Sequence, residues 1–136
     1  MHYMEKNIHI LLIEDDQDDI DLLKEALRDN NVVHSIDILS DGSLVAPYLD
    51  ACSIYPDVIV LDFNLPKVHG REILKMFKNN DNFTDIPLVI LTTSSAREDV
   101  EYSINNGASR FMTKPSSVKE IREMVEAITA IAVLSQ

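Results

Sequence analysis

Five short apolar runs punctuate the chain, and apolar residues recur every three or four positions in the stretches that follow most of them. Ile8-His9-Ile10-Leu11-Leu12-Ile13 halts at Glu14-Asp15-Asp16 and reads as a buried first strand. Between Asp18 and Asn30, Ile20, Leu22, Leu23, Ala26 and Leu27 return at helical spacing, with acids in the first turn, where the helix dipole favours them. Residues 32–39 alternate well enough for a strand with a more polar face, suited to a sheet edge. Asp41-Gly42 then leads into a helix from about Ser43 to Ala51, and Pro47 in its second turn should shorten or bend it. Val58-Ile59-Val60-Leu61 is apolar and mostly β-branched, ends abruptly at Asp62 and breaks at Pro66, as a strand buried on both faces does. Ile73, Leu74 and Phe77 mark a helix from Gly70 to about Asn79, and a polar loop follows. Leu88-Val89-Ile90-Leu91 is a fourth strand closing on Thr92-Thr93. Ser95 and Glu98 have capping-box spacing, which predicts a helix that turns Val100 and Ile104 inward and stops at Gly107. Arg110 to Thr113 is a short fifth strand before Lys114-Pro115. Ser117 with Glu120 repeats the box ahead of a last helix carrying Val118, Ile121, Val125, Ile128 and Ala132 on one face.

Strands and helices alternating five times describe right-handed βαβ units, an α/β fold with a parallel sheet covered by helices on both faces. Its ligand edge is the carboxyl end of the strands. The 136 residues fit one domain, read as a tail over 1–7 and a folded unit over 8–136, with Met4 as good a native start as Met1. Hydrophobic residues at 46% are close to ordinary globular values, so disorder is not the default, and the formal net charge of -11 argues against nucleic acid and for cations or basic protein surfaces as partners. Cys52 is the only cysteine, so neither a disulfide framework nor a Cys-rich zinc site is available. No apolar run reaches membrane-spanning length and no signal peptide is visible, which places the protein in the cytoplasm, away from the membrane.

Laid side by side, the strand ends converge chemically. The first strand delivers Glu14 and Asp15, the third Asp62, the fourth Thr92 and the fifth Lys114, all to one edge. Carboxylates crowded together repel unless a cation lies among them, and Mg2+, with Mn2+ as substitute, suits a site of a few carboxylates plus waters. The Asn64 backbone carbonyl could complete the metal shell. A metal, a lysine and a hydroxyl around one carboxylate also match the needs of a phosphoryl group. Asp62 would be the nucleophile that forms an aspartyl phosphate, Lys114 would neutralise charge and Thr92 would donate a hydrogen bond.

With these residues in place, the chain resembles the receiver domains of two-component response regulators over about Ile8 to Ala130. The resemblance is carried by Leu12-Ile13-Glu14-Asp15-Asp16, Leu61-Asp62-Phe63-Asn64-Leu65-Pro66 followed by Gly70, Leu91-Thr92-Thr93-Ser94, Gly107-Ala108 and Lys114-Pro115. It implies a flavodoxin-like doubly wound sheet of order 2-1-3-4-5, a phosphoryl group reaching Asp62 from a histidine kinase or phosphotransfer protein, Mg2+ on Glu14 and Asp15, and a cis peptide before Pro115. It implies a switch as well. Thr92 moves toward the phosphoryl group and Phe111 turns inward behind it, repacking the face of the fourth helix, fifth strand and fifth helix for a downstream protein target. Two departures stand out: Glu14 is one methylene longer than the aspartate often found there, and Phe111 lacks the hydroxyl of the tyrosine in many members. The short chain and its Leu-Thr-Thr-Ser segment look most like free-standing receivers, including those paired with phytochrome-type kinases.

The remaining candidates have plainer readings. Asp18, Asp19 and Asp21 read as a solvated helix start. His2, His9, His34 and His69 form no ligand pair and read as structural or surface residues, Ser94 as loop beside the phosphoryl group, and Ala130 and Val133 as candidates for a homodimer contact. Two other functions share this topology. A haloacid dehalogenase-like phosphatase would need a second aspartate where Asn64 stands, and a flavodoxin-like carrier would need a phosphate-cradling loop where the first strand ends in acids.

Overall fold

Consecutive apolar side chains are all buried only when a strand is covered on both faces, and that condition sets the architecture. In the computed structural model, which describes residues 7–65, 67–93 and 96–136, the strands β1 (Ile8–Ile13), β3 (Val58–Leu61) and β4 (Leu88–Thr92) form the middle of one parallel sheet. The more polar β2 (His34–Leu39) and the short β5 (Arg110–Thr113) are its edges, giving the order β2-β1-β3-β4-β5. The helices are α1 (Gln17–Asp29), α2 (Val45–Ala51), α3 (Gly70–Lys78), α4 (Arg97–Asn105) and α5 (Val118–Ser135). The fold is the expected flavodoxin-like doubly wound α/β arrangement.

Alternation along the strands divides the core in two. Ile8, Ile10, Leu12, Val58, Val60, Val89 and Leu91 pack beneath α1 and α5, while Leu11, Ile13, Ile59, Leu61, Leu88 and Ile90 pack on the opposite side with α3 and the rings of Phe63, Phe77 and Phe83. Each central strand is therefore wedged between two apolar layers and has little freedom to slide in register. Asp16 caps α1 by accepting the N–H groups of Asp18 and Asp19, and Ser117 caps α5 by accepting that of Glu120. Glu120 completes only half of the expected box, since it returns to the N–H of Ser116 rather than that of Ser117.

Several expectations are corrected. A 3-10 turn at Gly42–Leu44 precedes α2, so Pro47 is the third residue of the helix; it lies in the first turn, where an N–H has no intrahelical partner to lose. Ile104 is 49% exposed and Val118 is 75% exposed, because α4 turns Ser103 inward and α5 turns Met124, Val125, Ile128 and Ala132 inward. The N-cap of α4 is Ala96, without a side-chain bond, and the Ser95 cap lies outside the described residues, as do residues 1–6 of the tail. The peptide before Pro115 is trans, for no cis bond occurs among the described residues. Trans is the preferred form even before proline, by about 0.5–1 kcal/mol, and Lys114 meets all its partners from it. Among the described residues no helix is long and apolar enough to cross a membrane.

Candidate functional site

Strand register assembles the site. Ile13 pairs with Leu61, so Glu14 and Asp62 leave the sheet together, and the Asp62 N–H donates to the Ile13 carbonyl at 3.1 Å. Thr92 pairs with Thr113, and the next residue, Lys114, donates its N–H to the Thr92 carbonyl at 2.9 Å. Glu14 and Asp62 are 3% and 4% exposed, Thr92 is fully buried, and Asp15 stands on the open rim. One oxygen from each of Glu14, Asp15 and Asp62 lies within 4.8 Å of the others.

Lys114 enters from the far edge. Its ammonium lies 2.6 Å from Asp19 Oδ2, 2.8 Å from Glu14 Oε1 and 3.1 Å from Asp62 Oδ2. The other Asp62 oxygen, Oδ1, accepts the Asn64 N–H at 3.0 Å, so both oxygens of this carboxylate are held. The Asn64 amide reaches across the loop to donate to Thr92 Oγ1 at 3.2 Å and Thr93 Oγ1 at 3.3 Å. Behind Asp62, the buried Phe63 ring meets the half-buried Phe111 ring edge-on, with centroids 6.2 Å apart. Gly70 makes this corner: its N–H donates to the Phe63 carbonyl, and a Cβ there would collide with the Phe63 ring and Cα.

Charge at the site is unevenly matched. Burial raises the Glu14 pKa to about 7; the Lys114 hydrogen bond pulls it down, and the charge of Asp62 pushes it up again. Burial also opposes ionisation of Asp62, but the Asn64 N–H and the Lys114 charge outweigh it and hold that carboxyl below its usual value. For Lys114, burial disfavours the charge, while hydrogen bonds with Asp19, Glu14 and Asp62 more than compensate and raise its pKa. Three carboxylates thus contact one ammonium, and Asp15 adds a fourth negative charge beside Glu14 and Asp62. A hard divalent cation fits that donor set: Glu14, Asp15 and Asp62 offer converging oxygens, and among the described residues no softer ligand joins them.

All of the strand-end candidates, Glu14, Asp15, Asp62, Thr92 and Lys114, come together as the sequence suggested, and Asn64 joins them. The expectations for Pro66 and Ser94 lie outside the described residues. His69 caps α3 and His9 bonds Asp37, both structural uses. Asp19 is the residue the sequence reading passed over. It sits in the first turn of the helix that follows the acidic end of β1, and that proximity was the available signal.

The sequence model of the response regulator receiver domain matches residues 10–126. The chain is 37% identical over 124 residues to the response regulator Rcp1 of Synechocystis sp., covering 88% of this chain and 84% of Rcp1. It is 32% identical to the probable methanogenesis regulatory protein FilR2 of Methanothrix harundinacea, over 88% of this chain and 79% of FilR2. Among solved structures, the phosphorylated cyanobacterial phytochrome response regulator RcpA matches with a TM-score of 0.84 at 32% identity, over 96% of this chain and 97% of RcpA. The Mn2+-bound form of Rcp1 matches with a TM-score of 0.80 at 36% identity, over 90% and 92% of the two chains.

Proposed function

The chain belongs to the response regulator receiver domain family, signalling proteins that take phosphoryl groups from histidine kinases, and from that premise we propose that Asp62 is its phosphoacceptor. One observation carries this reading: the Asp62 carboxylate lies 3.1 Å from the Lys114 ammonium on one side and within 4.8 Å of Glu14 and Asp15 oxygens on the other. An Asp62 oxygen forms a bond to phosphorus as the P–N bond of a phosphohistidine breaks and the imidazole leaves with the electron pair. Lys114 is placed to neutralise the phosphoryl oxygens, and Thr92 to donate a hydrogen bond to one of them. Glu14, Asp15, Asp62 and the Asn64 carbonyl would hold Mg2+, which when bound supplies the remaining positive charge. The Mn2+ in the Rcp1 structure supports a divalent ion here, with Mn2+ an adequate substitute. Hydrolysis returns the carboxylate: water attacks phosphorus, inorganic phosphate departs, and the remaining proton passes to solvent.

This limited chemistry serves a switch. The phosphoryl group adds about -1.5 to -2 charge beside Thr92. Thr92 moves toward it and Phe111, already against Phe63, turns further inward, which reshapes the surface of α4, β5 and α5 for a protein target. A phytochrome-type kinase is the donor favoured by the likeness to the phytochrome response regulator RcpA. The phosphatase and flavin readings gain no support, since Asn64 occupies the position of the second aspartate and bonds Thr92 and Thr93.

With Mg2+ and acetyl phosphate, the intact protein is expected to gain the mass of one phosphoryl group, removable by hydroxylamine, and Asp62→Asn is expected to gain none. Folded wild-type protein that gains none, or Asp62→Asn that gains the same, overturns the assignment.

A further inference from the structure

We propose that Asp19 is a positioning residue for Lys114, holding its ammonium beside Asp62 in the orientation that phosphoryl transfer needs; this rests on Asp62 being the phosphoacceptor. The contact of Lys114 with Asp19, 2.6 Å, is shorter than those with Glu14, 2.8 Å, and Asp62, 3.1 Å. A lysine ammonium has three N–H donors, and here three carboxylates from separate elements match them. Its direction is therefore fixed by the ends of β1 and β3 and by the first turn of α1 together. Among the described residues, the acids grouped for a cation are Glu14, Asp15 and Asp62, so Asp19 serves the lysine and not the cation.

The pair is also better placed than a surface ion pair. The Lys114 side chain is 13% exposed. The Asp19 side chain is 30% exposed on its outer side, but the inner gap that it and Lys114 share with Glu14 and Pro115 is about 10 Å³, room for one water at most, so the lysine end of the pair is shielded. Asp19 itself has a rigid base: Asp16 accepts its N–H, and the adjoining Ile20 is buried in the core. Without Asp19, Glu14 and Asp62 alone would hold the ammonium, and it would be drawn against the attacking carboxylate rather than toward the incoming phosphoryl oxygens.

The test is a double-mutant cycle on the full chain, measuring the phosphorylation rate with acetyl phosphate and Mg2+ after thermal melts confirm folding. Asp19→Ala is expected to slow the reaction about tenfold, since small misplacements of a catalytic group are costly. Asp19→Glu should restore part of the rate, and in a Lys114→Ala background Asp19→Ala should slow it no further. An unchanged or faster Asp19→Ala, or equal slowing on both backgrounds, overturns the proposal. A second readout needs no phosphodonor. The 15N signal of the Lys114 ammonium, assigned by its loss in Lys114→Ala, should be visible in wild type and vanish in Asp19→Ala; its persistence overturns the anchoring. Should wild type itself accept no phosphoryl group, the assignment of Asp62 fails while this signal still decides whether Asp19 holds Lys114.

Discussion

Protonation of Glu14 and binding of a divalent cation draw on the same oxygens. Burial lifts the Glu14 pKa to about 7 from its ordinary 4.5, so the folded protein holds this proton where the unfolded chain has released it. The sign follows from linkage. The stabilisation is full below the unfolded value and is lost as pH rises through about 7, so cation-free protein should melt at falling temperature across that window. Asp62, held below its usual value, loses its contribution only as pH falls further and leaves the window to Glu14. Mg2+ affinity, measured by calorimetry, should rise over the same window and flatten above it, and Glu14→Gln should abolish the slope. Single residues were legible in the sequence where they ended apolar runs: Glu14, Asp62, Thr92 and Lys114 had to share an edge once their strands were parallel. Asp19 was hidden because an acid in the first turn of a helix already has a sufficient reason to be there.

Gly70 shows how an element can be set by what it must avoid. The first turn of α3 lies directly on Phe63, and no side chain fits at its first residue without moving that ring or the backbone beside Asp62. Gly70→Ala should cost about 1–3 kcal/mol in denaturant unfolding, the range for overpacking, and should slow phosphorylation by shifting the Asp62 loop. Gly107→Ala is the contrasting case, strained by a φ of 100° yet remote from Asp62, so it should lower stability and leave the phosphorylation rate alone. Central strands were easily read, because their continuous apolar runs admit few other fates. Helix faces were harder to read. Val118 fits the spacing of α5 but is its first residue, ahead of the buried stretch that begins at Met124, and Ile104 stands next to the fully buried Ser103 on the face that α4 turns outward. Periodicity names a face and not how far along it the burial extends.

At the scale of the whole molecule, a net charge of -11 makes the folded state self-repelling, and any salt should relieve some of that by screening. Binding at one site behaves differently from screening. At a hundred times its dissociation constant, Mg2+ should add about 2.7 kcal/mol of stability, which NaCl at matched ionic strength should not reproduce and Asp15→Asn should largely remove. Asp15 suits this test because its side chain is exposed and its replacement disturbs no core. Within this otherwise well-covered sheet, α4 is fastened differently from its neighbours. Among its described residues only Ser103 is buried, and the helix is tied to α3 by the 2.8 Å Arg71–Asp99 ion pair and by the Arg71 guanidinium lying 4.6 Å over the Tyr102 ring. Polar ties of this kind break and re-form without opening an apolar core, so the free energy separating α4 in place from α4 loosened is small beside that of global unfolding. The helix next to the reactive edge is therefore expected to open locally before the sheet does, and amide hydrogen exchange should show α4 less protected than β3 and β4.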